Sequence, residues 1–294
     1  MNKLFVYCIG LILMSLAFVQ CSPIAGLQKK YDTSFVSGDY GASLTYAESL
    51  IEAQGKDGGE VPVQTYLMAG RAASHSADME KAKKFYEIAY SLGANNPEML
   101  FDLSQIYKKE DQMSREMRVL NDLMKHSDSQ YAKEKSERYF FLNVEAELYE
   151  KADSMWTSLP ETFKSDGRAL NAYLKVCTSL KKEKKSVAVA KTILQSDPNS
   201  YDAKKIMAMD AYNRAESHYS RVMNAYNKNK TRRNYAILLK ELKKSGKNYN
   251  YALTKLKSVY KVKKEKSIAL YISNVYARIN NKRLSNYYRS LSRK

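Results

Sequence analysis

A pattern of apolar and small residues returns in this chain after 34 positions. Tyr66, Ala69, Gly70, Ala73, Ala82, Tyr86 and Ala89 fall, 34 residues on, upon Leu100, Leu103, Ser104, Tyr107, Glu116, Leu120 and Leu123. Six of these seven pairs keep an apolar or small residue, and the seventh sets Glu116 where Ala82 stands. Self-similarity at such a period means like units, none of which buries its own apolar face until a neighbour stacks on it. Within each unit the apolar positions step by three and four, the period of an amphipathic helix and not of a strand. Ala77-Asp78-Met79 and Gly38-Asp39-Tyr40 fall where the turn between the two helices of a unit belongs. Pro62, Pro97 and Pro198 stand just ahead of expected helix starts, where a missing N–H costs nothing, and Pro160 is expected to close a helix at Leu159. With 11 Gly and 5 Pro in 294 residues, tight turns are too few for an all-β protein.

On these residues the chain resembles tetratricopeptide-repeat (TPR) proteins, most clearly over 63–96, where small residues at Gly70 and Ala82 let two helices approach. A first unit over 27–53 carries the Gly38-Asp39-Tyr40 turn and is followed by the polar loop Gln54 to Gly59. A fourth unit centres on Ala152 and Trp156, a fifth ends in Asp197-Pro198-Asn199, and a last one covers 268–291. The resemblance implies an all-α, TPR-like α-solenoid of antiparallel helix pairs, with a concave face that takes extended peptides or other proteins. Carrying the family's concave first-helix positions along the 34-residue register selects Gln64, Arg71, Gln105 and Lys108, continued by Arg168 and Lys175.

One stretch departs from the pattern. Residues 201–227 hold no Gly or Pro, and Ala208, Tyr212, Ala215, Tyr219, Val222 and Tyr226 repeat in steps of four and three, which predicts one long helix. After it, Tyr235, Leu238, Leu239 and Leu242 predict a further helix stopped at Ser245-Gly246. The organisation expected is therefore a leader over 1–20, TPR-like repeats over 21–200 and a basic helical region over 201–294. The formal charge of +18 is concentrated in that last part: residues 181–294 hold 29 Lys and Arg against 7 Asp and Glu. Such an asymmetry concerns surface field and partners rather than fold. Its densest runs supply Lys228, Lys230, Arg232 and Arg233, then Lys261, Lys263 and Lys264.

The chain opens with Lys3 and an apolar run from Leu4 to Val19, the layout of a secretory signal peptide and slightly short for a membrane span. Cys21 directly after this run resembles the lipobox cysteine of bacterial lipoproteins, which implies lipidation of Cys21. The preceding Phe18-Val19-Gln20 departs from the usual pattern, and a cut after Ala17 would instead leave a soluble secreted or periplasmic product. The segment after Cys21, 22–28, lacks acidic residues, and resemblance to Bacteroidota-type TPR lipoproteins then implies an outer-membrane lipoprotein facing the periplasm.

No enzyme motif emerges. His75, His126 and His218 have no second ligand at metal spacing, the three Cys form no pair, and no cofactor or metal is expected. His75 and His218 are expected at ordinary surface or edge positions, Cys177 as a small buried residue, Trp156 as core, and the carboxylates of 78–161 as a solvated face. The 24 Tyr, spaced at three and four, are expected to pack between helices with hydroxyls reaching water. The reading is a non-enzymatic interaction scaffold of the cell envelope, of the outer-membrane assembly or secretion accessory type, with protein or peptide partners. The alternative is an envelope-binding module whose basic end grips anionic lipid, lipopolysaccharide or peptidoglycan. Nucleic acid fits the charge but not the leader.

Overall fold

Residues 23–293 are described by a computed structural model, and among them are fifteen α-helices and no strand. The leader and Cys21 lie outside the described residues. No described helix is long and apolar enough to cross a membrane. The chain divides into two compact units at Leu142/Asn143.

The first unit contains α1 (Pro23–Val36), α2 (Tyr40–Gly55), α3 (Val63–His75), α4 (Met79–Ser91), α5 (Pro97–Lys109), α6 (Met113–Leu123) and most of α7 (Gln130–Glu145). From α1 to α6 each helix packs on the one before it. The second unit contains α8 (Tyr149–Trp156), the single-turn α9 (Glu161–Lys164), α10 (Gly167–Ser179), α11 (Glu183–Ser196), α12 (Tyr201–Lys228), α13 (Arg232–Val262), α14 (Lys266–Arg278) and α15 (Lys282–Arg293). From α10 to α15 the packing again follows chain order. This is the all-α stack of antiparallel helix pairs that the 34-residue register implies.

The same backbone device turns the chain between paired helices. Gly38, Ala77, Asp111, Glu147, Lys181 and Asn280 each hold a positive φ, between 53° and 81°. After each, the next amide reaches five residues back, as in Asp78 N to Ala73 O at 2.9 Å and Gln112 N to Tyr107 O at 2.8 Å. This 6→1 bond is the Schellman closure of a helix C-terminus. Asp39 and Asp78 then cap the following helix, accepting from the amides of Ala42 and Lys81. Ala77 and Asp111 stand 34 residues apart, as do Glu147 and Lys181, so the repeat is one of turn geometry as well as of apolar positions.

Packing explains why small residues recur. Ala69, Ala72, Ala73, Ala82, Tyr86 and Ala89 are sealed between α3 and α4. A β-carbon at Gly70 would lie 2.4 Å from Cδ1 of Tyr86, so only glycine admits that ring. Glu116, the misfit of the register, is 2% exposed, and both its oxygens accept from Arg138 Nε and Nη2 at 2.9 Å. The second unit holds two apolar clusters, one around Leu170, Leu174, Ile193 and Ala203, the other around Ala208, Tyr249, Leu256, Ile268 and Ile272. Cys177 is buried, and that burial pushes its thiol pKa up, as befits an inert core residue. Trp156 is half-buried and stacks on Tyr173 with centroids 4.0 Å apart.

Three expectations need correction. The long helix over 201–227 is present as α12, but its partner does not stop at Ser245-Gly246: α13 runs on to Val262. Ser245 is buried and bonded to the Glu241 carbonyl, nothing crowds Gly246, and Tyr249, Ala252, Leu256 and Val259 continue the buried seam. A helical Gly costs about 1 kcal/mol, whereas each large apolar residue buried beyond it contributes about 1.5–3. The helix before Pro160 ends at Trp156, and Pro160 instead precedes the first turn of α9. The hydroxyls of Tyr86, Tyr90, Tyr107, Tyr139, Tyr173 and Tyr249 do not reach out to water but donate to side-chain acceptors on neighbouring helices.

Candidate functional site

All six residues expected on the concave face are exposed, but they do not line one depression. Gln64 and Arg71, on α3, line a cleft of about 440 Å³ whose floor is Tyr31, Phe35, Leu67 and Met68 and whose rim includes Gln28. Tyr31 donates to the Met68 carbonyl at 3.1 Å, and burial pushes its pKa up to about 12. Gln105 lines a separate hollow beside Ile106 and Asp102. Lys108 stands near Lys135, a buried lysine 4.8 Å above the Phe101 ring that composition gave no reason to notice. Burial first, and Lys108 second, lower the Lys135 pKa. Arg168 and Lys175 are on α10 of the second unit, with Lys175 5.7 Å over the Tyr149 ring.

Arg71 is held by its surroundings. Its Nε lies 3.0 Å from Glu98, and its guanidinium sits 4.9 Å over the Phe35 ring. His75, expected at an ordinary surface position, stacks on Tyr40 at 4.7 Å, meets Phe35 edge-on and approaches Glu98 at 3.4 Å. An aromatic and cationic wall built from α1, α2 and α3 thus closes one side of the cleft. Chemically the cleft offers an apolar floor, amide groups from Gln64 and Gln28, and the unengaged edge of a fixed guanidinium.

The basic residues separate into two places. Lys228, Lys230, Arg232 and Arg233 surround the turn between α12 and α13, and no described carboxylate pairs with them. Lys261, Lys263 and Lys264 stand at the other end of α13, where Lys263 meets Glu265 at 3.6 Å and Lys264 lies 4.7 Å over Tyr260. At 1.5 Å per residue the 31 residues of α13 put about 46 Å between the two groups.

The carboxylates are not simply solvated. Glu87 accepts from Tyr107 Oη at 2.9 Å and Arg115 at 3.0 Å; Asp153 accepts from Tyr173 at 2.8 Å and Lys182 at 2.6 Å. Glu216 takes Tyr249 at 3.0 Å and both Nε and Nη2 of Arg278. Each tyrosine comes from a following helix, so these triads pin successive helices together. Burial pushes the Asp153 and Glu216 pKa values up, but hydrogen bonds from Lys182 and Tyr173, and from Arg278 and Tyr249, outweigh it and leave both lowered. Burial is the first cause raising the three tyrosines.

One constellation has the composition of a nucleophile, base and orienting acid. His218, on α12, places Nδ1 2.8 Å from Ser245 Oγ and Nε2 3.1 Å from Glu241 Oε2. Ser245 is buried, donates to the Glu241 carbonyl and sits mid-helix, where neighbouring amides are already committed to the helix ladder. The hydrogen bonds of His218 to Ser245 and Glu241 join α12 to α13 as a polar pin. His218 is half-buried, at the edge of a hollow between the two helices. Among the described residues no group of three or more His, Cys, Asp or Glu is placed to hold a metal ion.

No protein-family model matches the chain, and no curated protein does. Solved structures similar to it include YrrB, a TPR protein with an unusual peptide-binding site, at 13% identity over 59% of this chain and 86% of that one, with a TM-score of 0.41. A TPR protein of Parabacteroides merdae is similar at 11% identity over 92% and 99%, TM-score 0.39. A putative protein binding protein of Bacteroides ovatus is similar at 14% over 75% and 100%, TM-score 0.37. At these superposition values the likenesses add no argument. The tetratricopeptide-like character rests on the paired helices, the recurring left-handed turn and the 34-residue register.

Proposed function

We propose that this chain is a non-enzymatic protein-interaction scaffold that holds an extended segment of a partner in the cleft walled by α1 and α3. The supporting observation is the cleft itself: first helices of successive pairs supply an apolar floor and a rim of amide and guanidinium groups. An extended peptide offers backbone donors and acceptors that Gln64 can meet both ways, and carboxylates or carbonyls suited to Arg71. The scaffold is held at the bacterial cell envelope by a lipid on Cys21, facing the periplasm, as an accessory to outer-membrane assembly or secretion.

Two experiments test this. Gln64→Trp, at an exposed position, fills the cleft without touching the buried core; partner capture from envelope extracts should fall by about tenfold with an unchanged circular dichroism melt. Equal capture by the variant would remove the cleft from the function. Mass spectrometry of the mature N-terminus tests the anchor separately: acylated Cys21 is expected, and a mature chain starting at Phe18 would make the protein soluble instead.

A further inference from the structure

The outward face of α13 is exposed and carries one sign of charge. α13 packs on α12 and α14 through Leu238, Ser245, Tyr249, Ala252, Leu256 and Val259. On the opposite side Arg232, Arg233, Lys240, Lys243, Lys244 and Lys247 are exposed and fall within one stripe of the helix. The one carboxylate of α13, Glu241, is turned inward onto His218, and of the stripe only Lys244 also reaches it, at 3.0 Å. Along the borders of the stripe stand Ile237, Leu239 and Tyr251, exposed by 52%, 51% and 58%. Past Ala215, α12 buries none of its described residues, and α13 before Ser245 buries only Leu238. The tip of this hairpin therefore projects with two helices packed chiefly on each other.

We propose that this face lies on the anionic surface of a lipid bilayer. The stripe from Arg232 to Lys247 runs about 22 Å along one side of the helix and presents its cations to a plane in parallel, beside a hollow of about 380 Å³ that Ile237 lines with Leu238 and Glu241. Lysine and arginine stems bury their methylenes at an interface while the charged ends stay among headgroups. Ile237, Leu239 and Tyr251 flank the stripe where side chains can enter the headgroup–acyl boundary, as in interfacial amphipathic helices. A soluble polyanion would answer the charge but leave these three uncovered. The inference does not rest on the peptide cleft, which lies in the other unit.

The test uses the mature chain from Ser22 onward, so that neither the apolar leader nor an acyl group contributes, and co-sedimentation with vesicles of equal phosphatidylglycerol and phosphatidylcholine or of phosphatidylcholine alone. Binding is expected to the anionic vesicles only, and to drop by about tenfold or more from low to high salt as the Debye length shortens. Arg233→Glu/Lys240→Glu/Lys247→Glu should lower anionic binding by at least about tenfold, while the equally exposed Lys133→Glu/Lys184→Glu/Lys191→Glu stays within about twofold of the parent. Leu239→Ser, which leaves the net charge unchanged, should weaken binding severalfold with its salt dependence retained, which separates insertion from charge alone. Matching circular dichroism melts confirm that the variants fold. Equal binding of the two triple variants, or no anionic binding at low salt, would overturn the proposal. Capture of polyglutamate without vesicle binding would overturn it in favour of an acidic protein partner.

Discussion

Glu116→Ala installs the residue type that the repeat register places at this position, since Ala82 occupies it one unit earlier. By repeat logic the change should be neutral or stabilising, and by the packing it should be harmful. Glu116 is 2% exposed and bonded twice to Arg138 at 2.9 Å, while the Arg138 side chain keeps 26% exposure. Removing one partner of a buried pair costs about 3–5 kcal/mol, chiefly because the other charge stays desolvated. Arg138 can recover part of its hydration, which lowers that term to about 2–3 kcal/mol. The vacated methylenes add about 1 kcal/mol, and the helix propensity of alanine returns a few tenths. The expected loss is about 2–4 kcal/mol. Glu116→Leu/Arg138→Leu removes both charges together and should lie within about 1 kcal/mol of the parent, giving a large coupling energy. Urea unfolding followed by far-ultraviolet circular dichroism, with m-values compared, measures Glu116→Ala and the four corners of the cycle: the parent, Glu116→Leu, Arg138→Leu and the double variant. A single-variant loss under about 1 kcal/mol, or a double variant as damaged as the sum, would refute the view that the pair is a mutually compensated buried charge.

Gly70→Ala gains about 1 kcal/mol of helix propensity but displaces the sealed Tyr86 ring at a cost of about 1–3, so a net loss is expected, relieved by Tyr86→Leu and read in the same unfolding assay. Ala77→Gly and Lys181→Gly relieve left-handed strain of about 1–2 kcal/mol against a glycine entropy cost of about 0.5–1, so each should raise the melting temperature slightly. Tyr173→Phe removes one of three donors to Asp153 and should cost about 1 kcal/mol in urea unfolding. Asp153 and Glu216 have lowered folded pKa values, so their stabilisation is complete above the unfolded values of about 3.9 and 4.3 and is lost as pH falls through the folded ones. Melting temperature should thus fall on acidification below about pH 4, and Asp153→Asn/Glu216→Gln should flatten that slope.

What the sequence reveals here depends on whether a rule acts within one helix or between two. The paired helices, the Gly38 and Ala77 turns, the approach at Gly70 and the length of α12 are all carried by short-range spacing, and each is legible. The turns at Asp111, Glu147, Lys181 and Asn280 share no residue type with Gly38, because the Schellman bonds fix the backbone and only position in the register marks them. Gln64 and Arg71 follow from the register, but the grip on Arg71 does not, since Glu98 and Phe35 come from elements distant in sequence. The same distinction decides α13. Ser245-Gly246 is a local stop signal, and it loses to a seam that is defined only by what α12 and α14 bury. Had the helix ended there, Lys243, Lys244 and Lys247 would have ringed a loop, and the two basic runs would have had no fixed relation. Continuity through Gly246 instead aligns Arg233, Lys240 and Lys247 at seven-residue steps on the side away from the seam. Burial of the apolar seam is therefore what converts a composition bias into a directed face, and His218, by drawing Glu241 inward, keeps that face free of opposing charge.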